Sequence, residues 1–132
     1  MAGVYVDTSA LGRVLLGEPV AEPIRDALAS YDAWWSSALL VVELRRLARR
    51  EGFEEAAERV LEQTGLLHVD RAVLDRASRL DPVEVRSLDA IHLDAAVALA
   101  SRGEISAVLT YDRQLQAGCA HHGLAVDAPL ET

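Results

Sequence analysis

In Val4-Tyr5-Val6-Asp7-Thr8-Ser9, three β-preferring residues run straight into an acid and a hydroxyl pair, and then into the helix-like run Ala10–Leu16. This is the pattern of a buried strand that delivers a carboxylate to a sheet edge, with hydroxyls placed to cap the next helix. Ligands of open α/β sheets bind at the C-terminal ends of strands. One acid there is weak evidence, because strand-to-helix turns favour Asp for local hydrogen bonding. Its meaning depends on what else reaches the same edge.

Beyond Leu16 the chain alternates. A helix is expected over Val20–Ser30, with Pro23 early enough for its missing N–H to be tolerated. A short strand follows at Ala33–Ser36, then helices over Ser37–Arg50 and Phe53–Gln63, separated by Gly52. A third strand is read at Leu66–Val69, a helix at Arg71–Leu80 ended by Asp81-Pro82, and a helix at Leu88–Ser101 with Ser87 as its N-cap. The fourth strand is Ala107–Thr110, followed by a helix over Asp112–His121 and a weak strand at Leu124–Val126. Gly65, Gly103 and Gly123 each fall between a helix and a strand, where a left-handed cap residue is expected. Strands alternating with helices imply an α/β fold, a parallel sheet wrapped by helices. Periodicity does not give the strand order.

The bulk numbers narrow the function. The 132 residues, 51% hydrophobic and 26% charged, suit one compact domain spanning 1–132. The single cysteine, Cys119, excludes an internal disulfide framework and fits a reducing cytoplasm. No apolar run approaches the ~20 residues of a membrane helix, and no signal peptide is evident. A soluble cytoplasmic protein without a membrane partner is expected. The net charge of −8 argues against a broad basic surface for nucleic acid, but not against an acidic site that meets a polyanion through cations. All 13 basic residues are Arg. Without Lys, the chain cannot be a phosphoacceptor receiver or a P-loop NTPase. A haloacid-dehalogenase-like phosphohydrolase would need that lysine too, and an acid where Ser9 stands.

Helices that return antiparallel to the strands begin at the edge where the strands end. Asp7 ends the first strand, and Asp112 follows the fourth by one residue. Asp89 lies in the first turn of the helix after Ser87, and Glu43 lies early in the helix after the second strand. All four can face one crevice. Two unit charges ~4 Å apart repel by about 4 kcal/mol at an effective dielectric near 20, so such a cluster takes up protons or holds a divalent cation. Oxygen ligands without His or Cys favour Mg²⁺ or Mn²⁺ over zinc. Thr8, Ser9 and Thr110 are placed to orient the carboxylates.

Val6-Asp7-Thr8-Ser9-Ala10-Leu11, the isolated Glu43, Leu88-Asp89-Ala90-x-His92 and Thr110-Tyr111-Asp112 together resemble the PIN-domain ribonucleases. More narrowly, they resemble the VapC-type toxins of bacterial toxin–antitoxin pairs, in motif order and over nearly the whole chain. The resemblance implies a five-stranded parallel sheet of order 3-2-1-4-5, with Asp7, Glu43, Asp89 and Asp112 as the metal-binding, catalytic acids. It further implies Mg²⁺- or Mn²⁺-dependent endonucleolytic cleavage of RNA, a homodimer, and neutralisation by a cognate VapB-type antitoxin.

The residues themselves leave alternatives open. Arg46 and Arg50, at i+3 and i+7 from Glu43, and Arg113 beside Asp112 are candidates for holding RNA phosphates; the bland reading of the Arg45–Arg50 run is a solvated face paired with Glu51 and Glu54. Asp94, rotated roughly 140° from Asp89 on a 3.6-residue helix, falls outside the acid set. His92 reads as a structural hydrogen bonder. Of Trp34 and Trp35, at least one belongs in the core, the other there or at an interface. The apolar faces of the first two helices suit core packing or an antitoxin groove. The non-enzyme alternative is a PIN-like metal-binding interaction module, and a further one is a housekeeping nuclease of the same fold.

Overall fold

The computed structural model describes residues 2–131. In chain order its elements are β1 (Gly3–Val6), α1 (Thr8–Leu15), α2 (Ala21–Ala29), β2 (Trp34–Ser37), α3 (Leu39–Glu51), α4 (Glu54–Gln63), β3 (Thr64–Leu67), α5 (Arg71–Ala77), α6 (Ser87–Ser101), β4 (Ile105–Leu109), α7 (Arg113–His121) and β5 (Val126–Asp127). The strands form one five-stranded sheet of order β3-β2-β1-β4-β5, every pairing parallel. This is the expected α/β architecture and strand order.

β1 is buried at every position, as a central strand covered on both faces must be. Alternation sends Val4 and Val6 into a core with Leu11, Ile24, Leu40 and Leu44, beneath α1 to α4. Tyr5 points the other way, into a core with Leu93, Leu99, Val108 and Leu115 beneath α6 and α7. Each fully buried aliphatic contributes about 1.5–3 kcal/mol by leaving water. The two tryptophans divide in the same manner: Trp34 packs on the first core and donates its indole N–H to the Leu28 carbonyl at 3.0 Å, and Trp35 packs on the second. Leu11, Ile24 and Leu28 are core residues, which accounts for the apolar faces of α1 and α2.

Besides β5, which falls at Val126–Asp127 rather than Leu124–Val126, and α5, which ends at Ala77 rather than Leu80, local expectations shift at Gly65 and Ser87. Gly65 does not end a helix in the left-handed region; it lies inside β3, and a Cβ there would stand 2.7 Å from the Trp35 ring. The strand therefore begins before the expected Leu66. Ser87 is the first residue of α6, and Arg86 takes the N-cap position without a side-chain capping bond. Gly103 and Gly123 do occupy the left-handed region, at φ of 73° and 72°.

α6 is buried nearly all round, including Asp89, His92 and Asp94. A helix so enclosed must pair its polar groups internally. Asp94 accepts a two-pronged bond from Arg76 on α5, at 3.1 Å to each oxygen.

Cys119 is fully buried on α7, and burial pushes its thiol up to about 12. Because the thiolate is the reactive species, a disulfide reagent at pH 8 is expected to leave the native thiol unmodified over minutes and to label it fully in denaturant. Rapid native labelling would contradict the buried placement. No helix among the described residues is long and apolar enough to cross a membrane.

Candidate active site

Strand order reverses between β1 and β4, since β1 leads on to β2 on one side and meets β4 on the other. Such a switch point opens a crevice at the C-terminal ends of the two strands. Val6 pairs with Leu109, so the residues that follow, Asp7 and Thr110, meet at the crevice floor.

Asp7 is buried and serves as the N-cap of α1, accepting the Ala10 N–H on Oδ1 at 3.3 Å. Ser9 donates to the same oxygen at 2.7 Å, and Thr110 donates to Oδ2 at 2.7 Å. Burial holds the Asp7 carboxyl above its ordinary range; the hydroxyl bonds, His92 and the Ala10 N–H oppose that shift without cancelling it. The expected capping role of the hydroxyls is thus corrected. The carboxylate caps the helix, and Ser9 and Thr110 hold the carboxylate. Thr8 donates instead to Glu43 Oε1, at 3.0 Å.

Asp112 caps α7, its Oδ1 accepting the N–H groups of Gln114 and Leu115 at 2.9 and 3.0 Å. Its own N–H donates to Thr110 Oγ1 at 3.1 Å, which ties it to the floor beneath Asp7. Asp89, from the first turn of α6, faces Asp112 closely enough that the two carboxyls interact directly. Burial first, then Asp112, raises Asp89 to about 6, against the opposing charges of Arg86 and His92. Glu43, half-buried on α3, receives His92 Nε2 at 2.8 Å on the same oxygen that Thr8 holds.

The four acids named from sequence therefore reach one edge, in distinct settings: Asp7 in a hydroxyl net, Asp89 against Asp112, and Glu43 on His92 and Thr8. Among the described residues, no three His, Cys, Asp or Glu side chains are drawn together into a ready cation cage. Their chemistry still suits a hard ion. Mg²⁺ keeps several waters and is usually held by one or two carboxylates plus substrate phosphate rather than by a dedicated cage. Two neighbouring carboxyls such as buried Asp89 and half-buried Asp112 favour a proton or a cation between them.

Two residues near the acids escaped sequence reasoning. Arg86 lies 3.7 Å from Asp89 at the start of α6, an i,i+3 spacing that was legible. Tyr5 reaches the site through His92, a contact across 87 residues that no local pattern announces. The arginine run is partly a paired face: Arg45 forks onto Glu58 at 2.7 and 2.8 Å, and Arg50 meets Glu51 at 3.2 Å. Arg46, Arg49 and Arg50 line an open hollow beside α3, and Arg113 is exposed at the start of α7.

Comparison with known proteins follows the same lines. Residues 4–125 match the family model of the PIN domain. The chain is 37% identical over 131 residues to Ribonuclease VapC46 of Mycobacterium tuberculosis strain ATCC 25618 / H37Rv, covering 98% of this chain and 99% of the relative. It is 35% identical to Ribonuclease VapC47 of M. tuberculosis strain CDC 1551 / Oshkosh, covering 96% of each. Among solved structures, a toxin–antitoxin complex from Klebsiella pneumoniae superposes with a TM-score of 0.71 at 18% identity, over 99% of this chain and 100% of that one. M. tuberculosis VapC20, described as a Sarcin-Ricin loop cleaving toxin, gives 0.68 at 21% identity, over 87% and 94%. The structural likenesses bear on the fold and the sequence likenesses on descent: this chain is a PIN-domain protein of the VapC ribonuclease family.

Proposed function

We propose that residues 1–132 form a single nuclease domain acting as a metal-dependent endoribonuclease toxin, with Asp7, Glu43, Asp89 and Asp112 holding Mg²⁺ or Mn²⁺. The observation that carries this reading is the delivery of all four acids to the switch-point edge in a chain of ribonuclease descent. Such an ion supplies positive charge to a phosphodiester and lowers the pKa of water. The chain's own contribution is orientation. Ser9 and Thr110 hold Asp7, Thr8 and His92 hold Glu43, and the α7 N–H groups hold Asp112 on Oδ1. Arg46 and Arg50 on α3 and Arg113 at the start of α7 serve as contacts for RNA phosphates in this reading. The partners are RNA and a VapB-type antitoxin, the assembly is a homodimer, and the compartment is the cytoplasm.

The test is cleavage of a mixed RNA pool by purified protein with Mg²⁺ or Mn²⁺, with and without chelator. Metal-dependent cleavage supports the reading. No cleavage of any RNA with either metal favours the second one, a metal-binding interaction module, toward which the lack of a ready three-ligand cage among the described residues points.

The arginines carry a separate prediction. Each phosphate contact on a single strand contributes about 0.7 to the slope of log affinity against log salt. An Arg46→Ala/Arg50→Ala double variant is expected to bind RNA more weakly across sequences and to reduce that slope by about 1.4. An unchanged slope would return both arginines to the solvated face.

A further inference from the structure

Glu43 stands on the far layer from α6, yet its carboxylate is tied to the middle of the sheet. Tyr5, fully buried on β1, accepts the Ser37 N–H on its hydroxyl at 3.1 Å. That hydroxyl lies 2.5 Å from His92 Nδ1, with the rings edge to face at 78°. His92, also buried, meets Glu43 Oε1 through Nε2 at 2.8 Å. A carboxylate only accepts, so Nε2 must carry a proton. A ring protonated on Nε2 alone has a bare Nδ1, which the Tyr5 O–H is placed to fill. The tautomer is set from both ends.

We propose that Tyr5 and His92 are positioning residues, a buried hydrogen-bonded strut from β1 around the sheet edge that sets the orientation of the Glu43 carboxylate for its cation. This rests on the reading of Glu43 as a cation ligand. His92 and Thr8 both occupy Oε1, which leaves Oε2 as the oxygen that would meet a cation. Hydrogen-bond partners of ligating groups tune the affinity of a site, and their loss costs about 10–100-fold. The strut also joins the two helical layers across the crevice, since His92 belongs to α6 and Glu43 to α3.

The experiment is Mn²⁺ binding to the purified full chain by calorimetry, paired with ¹⁵N NMR of the His92 ring. Wild type is expected to bind Mn²⁺ and to show an Nε2-protonated ring, and Asp7→Asn to lose binding. Tyr5→Phe is expected to weaken binding by about 10–100-fold. The amide nitrogen of His92→Gln falls where Nε2 lies but nothing replaces Nδ1, so this variant keeps the Glu43 contact, loses the Tyr5 link, and should lose less affinity than His92→Asn. His92→Asn is too short to reach Glu43 and should lose as much as Tyr5→Phe. A merely structural role would not separate Gln from Asn in that direction. Folded Tyr5→Phe and His92→Asn proteins that bind Mn²⁺ like wild type would overturn the strut alone, as would a ring protonated only on Nδ1 or equal losses in Gln and Asn. Should Tyr5→Phe fail to fold, the Gln and Asn pair decides. Wild type that binds no Mn²⁺ would overturn the metal site and the strut together.

Discussion

Asp7→Asn is expected to reduce metal-dependent RNA cleavage by well over the roughly 100-fold that loss of a supporting hydrogen bond costs, while the protein stays folded. The substitution keeps the shape of the side chain, removes its charge and turns one acceptor oxygen into a donor. Ser9 and Thr110 hydroxyls can rotate to meet an amide as they meet a carboxylate. Burial already raises the Asp7 carboxyl above its ordinary range, so a neutral group at this position relieves a cost. The melting temperature in chelator should therefore equal or exceed that of wild type. Cleavage assays and thermal melts on the same preparations check both halves. A variant that still cleaved RNA with wild-type metal dependence would remove Asp7 from the site.

The other large effect is expected at Asp89. Its folded pKa of about 6 lies above the ordinary carboxylate value, so the folded chain binds this proton more tightly than the unfolded chain does. The sign follows. The favourable contribution is full below the ordinary value near pH 4 and is lost as the pH rises through about 6. In chelator, wild type should be less stable at pH 7 than at pH 5 by on the order of 1–2 kcal/mol from this group, allowing for solvent screening at the mouth of the crevice. Asp89→Asn should lack that increment, be more stable than wild type at pH 7, and cleave RNA more than about 100-fold more slowly. Mn²⁺ should stabilise wild type at pH 7 and leave Asp89→Asn nearly unmoved. Melts of both proteins at pH 5 and 7 isolate the group; a wild-type-to-variant difference that did not change with pH would show that Asp89 carries no raised pKa.

The legible parts of this molecule are those written locally. A strand that ends in an acid and hydroxyls, helices that end at Gly103 and Gly123, and acids placed just after strands or early in helices all follow from short-range pattern. The strand order came from resemblance, because a parallel pairing such as Gly3 with Ile105 leaves no trace in the periodicity of either strand. Gly65 misled for a tertiary reason. It looks like a helix stop, but its missing side chain makes room for the Trp35 ring of the neighbouring strand. Thr8, Ser9 and Thr110 each hydrogen-bond a carboxylate, and which hydroxyl serves which acid depends on the edge geometry. His92 was legible as a hydrogen bonder, but neither of its partners was, since Tyr5 and Glu43 come from two other elements.

The bond between Thr110 and Asp7 spans 103 residues of sequence, which bears on when the acid-bearing edge can first form. At roughly 5–20 residues per second of synthesis, the ribosome needs on the order of 5–20 s to supply that partner. Through that interval the nascent chain carries Asp7 with neither the β4 edge nor Asp112 beside it, and β1 lacks its neighbour on that side. Long-range parallel pairing is also slow to form once the chain is available. The edge that carries the acids is thus completed only as translation nears the end of the message, and the interval before it closes is time in which a second protein can be made to meet it.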